Sequence, residues 1–403
     1  GSRVVPGMIQ KVGHVRVFAA LGSLISSLLI LYAVAPHWLA WALMILTDSM
    51  NRPGGAWFHP GYAYQLESFP ALPISPPEGT FGPGPRSRPE ARSFLGEWPC
   101  AALADEIDAG NIRALVNLGG GLLTAFPNAA ALRSALDRLD VLATLEILPT
   151  EITAVSTHVL PAKDQLERAD VTLWDILSTN VSAQYTPAVV ASAGERRSAW
   201  WVLAELGRRL GHDLCDRGIA GDIGGEVAPD ADDAMLARVM GRARGEFADL
   251  VAAGYQEAPR ELPAAWVEAH LDRLGGWRMA PQALVDQLAA MSSPEPLMLV
   301  PRRQKRHLNS QLTFLGDRAE ILLHPDDAAT AGIGDGQPAT VRNRLGTVTG
   351  IARLTTEIRP GAVSVPHGYP GANVNLLTDD ADIDPLTGMT RYSGLPVSIA
   401  PAQ

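Results

Sequence analysis

Apolar and polar positions along this chain change texture three times. From Val17 to Ala35 nineteen residues run without a charge, with Lys11 and Arg16 ahead of them. That length and flank suit a membrane-spanning helix or a signal anchor. Gly22, Ser23, Ser26 and Ser27 dilute the run and Pro36-His37 ends it, so a buried helix and an altered reading frame fit as well. A second apolar helix is expected over Trp38–Leu46. Asp48-Ser49-Met50-Asn51-Arg52-Pro53-Gly54-Gly55 then breaks it with turn residues, and Phe58-His59-Pro60-Gly61 continues as loop. Residues 70–93 are rich in Pro, Gly and Ser and read as a surface connection.

The second texture alternates short apolar runs with helical spacing. A helix over 99–109 leads to a strand at Ala114-Leu115-Val116-Asn117. The strand yields to Leu118-Gly119-Gly120-Gly121, Phe126-Pro127-Asn128 and a helix over 128–138. A further strand follows at Val141-Leu142-Ala143-Thr144-Leu145. Strand, glycine turn, helix, strand is the grammar of a doubly wound parallel sheet. Another helix is expected over 199–210, with Trp201, Leu203, Leu206 and Leu210 on one face. Residues 216–290 are Ala-rich, charged and periodic, which reads as a helical insertion.

The third texture begins after Pro294-Glu295-Pro296. Strand candidates are Ile321-Leu322-Leu323, Ala339-Thr340-Val341, Val348-Thr349-Gly350-Ile351-Ala352 and Ala362-Val363-Ser364-Val365. They are punctuated by Gly332-Ile333-Gly334-Asp335-Gly336 and Leu345-Gly346. This predicts a small closed β-barrel over 295–403.

At 403 residues the chain is long enough for two or three domains, and 47% hydrophobic with 19% charged residues is globular rather than disordered. A net charge of −10 argues against a nucleic-acid partner. Arg302, Arg303, Lys305 and Arg306 form one basic run, which suits either a solvated face or a phosphate contact. Cys100 and Cys215 are the only cysteines. A cubane iron–sulfur cluster takes about four thiolates, so none is expected in this chain. The Gly-Ser start suits a tag remnant or an internal fragment.

Candidate chemistry collects at three places. Asn117, Gly119, Gly120 and Gly121 sit where a strand yields to a helix, a place where backbone amides hold phosphates, although the spacing matches neither the Walker pattern nor the dinucleotide fingerprint. Glu146-Ile147-Leu148-Pro149-Thr150-Glu151-Ile152-Thr153-Ala154 follows the next strand, with Val159-Leu160-Pro161 beyond. The stretch 363–392 runs from a β-branched strand into a loop holding His367, Gly368, Gly371, Asn373, Asn375, Asp384 and Gly388. Asn side chains there offer donor and acceptor to a polar heterocycle, and glycines allow close backbone approach.

These segments, taken in order, resemble the C-terminal half of the molybdopterin-guanine-dinucleotide oxidoreductases, the dimethyl sulfoxide reductase and formate dehydrogenase superfamily. The resemblance runs from about Trp38 to Ser398, weakest over 216–290 and most specific at 366–394. Gly194-Glu195-Arg196-Arg197 with Trp201, Leu203, Leu206 and Gly211 resembles a family helix. Leu299-Val300-Pro301-Arg302-Arg303, followed by His307-Leu308-Asn309-Ser310, is similar to the stretch that contacts pterin or phosphate. His324-Pro325-Asp326-Asp327-Ala328-Ala329 with Gly332-Ile333-Gly334-Asp335-Gly336 is similar to a structural signature of helix, tight turn and strand. Glu167 matches a usual acidic position. Ser156-Thr157-His158 departs from the family's Ala-Asp and is one residue shorter.

The resemblance implies an α/β doubly wound, Rossmann-like domain followed by a C-terminal β-barrel of double-psi type. It divides the chain into an apolar N-terminal region (1–37), a remnant of a preceding domain with a linker (38–98), an α/β dinucleotide-binding domain (99–215), a helical insertion (216–294) and a β-barrel molybdopterin-dinucleotide-binding domain (295–403). The implied cofactor is molybdenum, or tungsten, bis(molybdopterin guanine dinucleotide). Its implied contacts are Asn117, Gly119, Gly120, Gly121, Glu146, Thr150, Thr153, Arg302, His307, Asn309, Ser310, His367, Gly368, Asn373 and Asn375. No catalytic residue and no metal ligand is recognisable, and an N-terminal catalytic half or partner subunit would supply them. Complete, the enzyme would be an oxidoreductase of unknown substrate and electron partner; alone, the chain should not turn over. The expected setting is cytoplasmic. The alternative is a non-catalytic or split-complex subunit that binds the dinucleotide, anchored to a membrane through 17–35.

Overall fold

The structure, a computed structural model, describes residues 58–68, 80–173, 178–215, 231–258, 266–276, 281–290, 297–305, 318–385 and 387–402, with positions 44, 47, 49 and 307 besides. The expected elements at 17–35 and 38–46, apart from position 44, and residues 308–310 lie outside it. No described helix is long and apolar enough to cross a membrane.

The first strand pair among the described residues joins β1 (Phe81–Gly82) to β2 (Ser93–Phe94). Thr80, Ala91 and Ser93 are buried, and Arg92 stacks 4.9 Å over the Phe81 ring. Residues 80–93 are therefore packed structure, where a surface connection was expected. Pro and Gly here serve tight turns rather than a solvated linker.

Next come α1 (Leu103–Asp108), β3 (Ala114–Leu118), α2 (Leu122–Ala125), α3 (Ala129–Leu136), β4 (Val141–Glu146), α4 (Glu151–Val155) and β5 (His158–Pro161). The strands form a parallel sheet in the order β3-β4-β5. β4 is central and buries Leu142, Ala143, Thr144 and Leu145 in one unbroken run, as parallel strands covered on both faces do. Leu132, Ala135 and Leu136 of α3 recur at helical spacing and pack with Ile107, Leu142 and Ile152. The strand order advances in one direction. The reversal of order that a doubly wound sheet requires is absent among the described residues.

Beyond it, β6 (Asp170–Val171), β7 (Ser182–Thr186), α5 (Ala199–Arg209), α6 (Ala231–Val239), α7 (Phe247–Ala253), β8 (Tyr255–Glu257), α8 (Glu268–Leu274) and α9 (Gln282–Ala290) follow. β6-β7-β8 is an antiparallel sheet. The segment expected to be a helical insertion thus contributes a strand, and that strand pairs across the boundary expected at 215. Tyr62, 1% exposed, fills the core beneath this sheet with Val181, Ala183 and Leu250. Arg244 clamps the same N-terminal segment through Gly61 O at 2.6 Å and Glu67 at 2.7 Å. α5 buries Ala204, Glu205 and Gly207, and leaves Leu210 76% exposed. The face expected from its large apolar residues is rotated, because small residues allow the closer approach.

Asp232 of α6 joins this part to the parallel sheet unit. Its carboxylate accepts from Ser198 Oγ at 2.6 Å, Trp200 Nε1 at 2.7 Å and Lys163 Nζ at 2.9 Å. Burial alone would raise its pKa, but these hydrogen bonds outweigh burial and lower it.

The C-terminal part comprises β9 (Met298–Leu299), β10 (Glu320–Leu323), α10 (Pro325–Ala331), β11 (Pro338–Arg342), β12 (Thr347–Leu354), β13 (Ala362–Ser364), β14 (Leu395–Pro396) and β15 (Ser398–Pro401). They form one curled seven-stranded sheet, ordered β14-β9-β13-β10-β12-β11-β15. Leu299, Ile321, Leu323, Val341, Val363 and Val365 make its core. The hydrogen-bonded ladder has two ends, β14 and β15, so the described strands do not close into the ring expected from the strand pattern. α10 is bounded as its residues dictate. His324 Nδ1 accepts from the Asp326 amide, Pro325 opens the first turn, and Gly332 closes it at φ 68°.

Candidate cofactor site

The loop between β13 and β14, residues 365–394, lies on the parallel-sheet unit and is fastened to it by directional bonds. Asn373 Nδ2 donates to Leu123 O at 2.7 Å and Asn375 Nδ2 to Thr124 O at 2.6 Å, both carbonyls of α2. The Asn128 amide donates to Thr378 O at 3.0 Å and its Nδ2 to Asp380 Oδ1 at 3.1 Å. Arg88 reaches Asp105 at 3.1 Å and Asp380 O at 3.3 Å. Gly388, at φ 68°, sits so close that a Cβ there would lie 2.3 Å from Pro99 Cγ. The curled sheet and the parallel sheet therefore share one seam.

A cavity of about 380 Å³ opens along that seam. Cys100, Ala125 and Pro127 line one side; Arg302, Arg303, His367, Asn375, Thr390 and Tyr392 line the other. The Arg303 side chain is solvent-exposed. Thr390 Oγ1 is buried and has no hydrogen-bond partner. His367 Nδ1 is hydrogen-bonded to the Tyr392 hydroxyl, and burial, then the Arg303 charge, pushes the imidazole pKa down. A wider groove of about 440 Å³ beside β15 has Asp327 as its one charged wall residue. The seam cavity alone of these two offers cations and an unsatisfied hydroxyl, so it is the one chemically matched to an anionic, acceptor-rich ligand.

The glycine turn after β3 has a different character. Gly119 and Gly120 both take positive φ, 72° and 79°. The Gly120 amide donates to Glu146 Oε2 at 3.0 Å, and the Ile147 amide donates to Glu146 Oε1 at 2.8 Å. The helix that follows Gly121 is four residues long. A carboxylate of the protein already occupies the place where a phosphate was expected, and so short a helix adds little dipole. Thr153 Oγ1 is used locally, accepting from the Thr150 amide at 2.8 Å and donating to Thr150 O at 2.8 Å. One side-chain atom at the end of β3 does lack a partner, the buried Asn117 Nδ2, whereas the Thr150 hydroxyl faces the Thr153 amide in the capping box of α4.

The remaining expected residues divide in the same way. Arg302 donates to Ser364 O at 2.7 Å and Glu320 O at 2.6 Å, so its guanidinium ties strands while its edge faces the cavity; burial lowers its pKa. Asn373 and Asn375 are spent largely on α2 carbonyls, although Asn375 also reaches the cavity wall. His307 is buried against Tyr369, ring centroids 5.4 Å apart, with Nδ1 unpartnered. Gly368 turns the chain at φ 87° between His367 and Tyr369. Asn309 and Ser310 lie outside the described residues. Glu167 is structural: it accepts from Arg196 and the Asp164 amide, each at 2.8 Å. His158 starts β5 with Nδ1 against Thr157 Oγ1. Arg303, Thr390 and Tyr392 were not among the expected contacts. The basic run marked Arg303, whereas nothing in Thr390-Arg391-Tyr392 taken alone marks a ligand wall.

Residues 297–396 match the family model described as "Molydopterin dinucleotide binding domain". The chain is 27% identical over 294 residues to the NADPH-Fe(3+) oxidoreductase subunit alpha of Geobacter sulfurreducens, covering 71% of this chain and 31% of that protein. It is 24% identical to the assimilatory nitrate reductase catalytic subunit of Bacillus subtilis, covering 74% and 43%. The acetylene hydratase from Pelobacter acetylenicus shares the fold at a TM-score of 0.56 and 17% identity, over 77% of this chain and 47% of that one. The C-terminal sheet and its loop are thus a molydopterin dinucleotide binding domain. Over about three quarters of its length the chain is similar to the C-terminal portions of members of the dimethyl sulfoxide reductase, formate dehydrogenase and nitrate reductase family. It spans between 31% and 47% of the length of these three relatives.

Proposed function

We propose that this chain is the cofactor-holding portion of a cytoplasmic molybdenum or tungsten oxidoreductase, and that the cofactor is bis(molybdopterin guanine dinucleotide). One dinucleotide would pass through the seam cavity. Arg303 would meet its pyrophosphate, and Thr390 Oγ1 and His367 its pterin or phosphate oxygens. Asn117 Nδ2, buried without a partner, and the Thr150 hydroxyl are the side-chain contacts we assign to the nucleoside end. When bound, the metal supplies two-electron or oxygen-atom transfer, while the protein supplies placement and charge. The metal ligand, any iron–sulfur cluster and the electron partner would come from a segment or subunit beyond this chain. We read the parallel unit as Rossmann-like and the curled sheet as a double-psi barrel, each on the resemblance in sequence.

The observation that carries this reading is the seam cavity, with its exposed cation and its orphaned hydroxyl. The test is to purify the chain from a host that makes the molybdenum cofactor, then assay metal and acid-released nucleotide. Near-stoichiometric GMP supports the reading. A folded, monodisperse sample with neither metal nor nucleotide, alone or co-expressed with a catalytic half, would overturn it.

A further inference from the structure

The hydrogen bonds at the cavity wall have directions that can be worked out from their donors and acceptors. Thr124 O is a carbonyl, which only accepts, so the atom of Asn375 that meets it at 2.6 Å must be the amide nitrogen. The other side-chain atom, Oδ1, accepts from Thr378 Oγ1 at 3.0 Å. Tyr392 has one proton, and its hydroxyl is hydrogen-bonded to His367 Nδ1, in a bond whose direction is set by the imidazole tautomer. The two rings stand edge to face, centroids 5.7 Å apart and planes at 84°, which brings hydroxyl and ring nitrogen together.

We propose that Tyr392 is a positioning residue: its phenol proton holds His367 in the tautomer protonated at Nε2, so that a neutral N–H donor serves an oxygen acceptor of the cavity's ligand. A phenol is a stronger proton donor than a neutral imidazole N–H, and an imidazole nitrogen a stronger acceptor than a phenol oxygen, so the opposite tautomer would reverse the favoured direction of the bond. Burial pushes the Tyr392 phenol far above its usual range, so it keeps its proton. Burial and the neighbouring Arg303 push His367 down, so its ring is neutral near pH 7. Among the described residues no side chain or carbonyl partners His367 Nε2. The cavity therefore presents the fixed charges of Arg302 and Arg303 and one uncharged donor of set direction.

The ligand in this inference rests on the proposed function, but the tautomer does not. The first measurement is long-range ¹H–¹⁵N correlation on the whole chain labelled at histidine, with the His367 signals assigned by their loss in His367→Gln. The expected result is a pyridine-type Nδ1 and a pyrrole-type Nε2 at pH 7, relaxing toward a mixed, solvent-like pattern in Tyr392→Phe. A pyrrole-type Nδ1 in the unaltered protein would overturn the inference, whether or not any variant folds. The second measurement is molybdenum and GMP content after purification from a cofactor-producing host. His367→Gln, which keeps an N–H near the Nε2 position, should retain cofactor within about twofold, while His367→Leu should lose about tenfold, one charge-assisted hydrogen bond. Equal retention in both variants would contradict the donor role. If the unaltered protein carries no cofactor, the proposed function fails while the tautomer result still stands or falls by itself.

Discussion

The turn at Gly119–Gly121 and the loop at 365–394 are both glycine-bearing, both follow a strand, and both look like ligand cradles. Their hydrogen-bond accounts differ. In the first, Glu146 caps the Gly120 and Ile147 amides, so the backbone is satisfied from within. In the second, the backbone is locked onto α2 by Asn373 and Asn375, while Thr390, His367 and Arg303 keep groups to offer along the cavity. Buried polar groups in proteins are nearly always paired, so unpaired ones are better pointers to a ligand than glycine spacing is. Under the proposed function, the contrast gives the turn to holding the sheet together and the loop to holding the cofactor.

The largest effect that could break this contrast is expected at Asn375, 1% exposed. Asn375→Leu strands the Thr124 carbonyl and the Thr378 hydroxyl, which should cost about 2–4 kcal/mol. A urea midpoint unchanged by that substitution would mean that the seam is not fastened there. Gly388→Ala comes next, since positive φ and the approach to Pro99 both oppose a side chain. About 1–3 kcal/mol is expected, read as a lower thermal midpoint together with poorer cofactor retention.

Arg303→Ala separates binding from folding. Its side chain is exposed, so stability should hold, while cofactor retention drops roughly fivefold to tenfold. Acidification sharpens the same point. The folded-state pKa of His367 is lowered, so its neutral form contributes stability that is fully present above its ordinary value near 6.5. That contribution is lost as pH falls below 6.5 toward the folded pKa. His367→Gln should flatten that part of the pH–stability curve, measured by urea titration between about pH 7 and pH 5. The smallest effect is assigned to Glu146→Gln, which keeps an acceptor for Gly120 or Ile147. At most about 1 kcal/mol and little change in bound GMP are expected.

How much of this could be read from the residues depends on the scale of the interaction. Local periodicity located β3, β4, α3 and the strands β10 to β13, because a buried run or an alternating face is written within a few neighbours. The sheet β6-β7-β8 could not be read that way, since Ser182–Thr186 finds Tyr255–Glu257 across a long helical excursion. Trp201 and Leu210 suggested one face of α5, yet packing chose Ala204 and Gly207 because it favours close approach over large apolar area. At the site, Arg303, His367 and Asn375 stand in segments that drew attention for their residue types. Thr390 and Tyr392 did not, because what distinguishes them is a missing partner and a directed bond, and both are set by tertiary contact.

Hydrogen–deuterium exchange, comparing cofactor-loaded with cofactor-free protein, tests the contrast between the two cradles most directly. Loading should protect amides of 300–305 and 365–392 and leave those of 119–121 as they were. Protection confined to 117–121 and 146–153, with the 365–392 loop unchanged, would contradict the assignment of the cofactor to the seam.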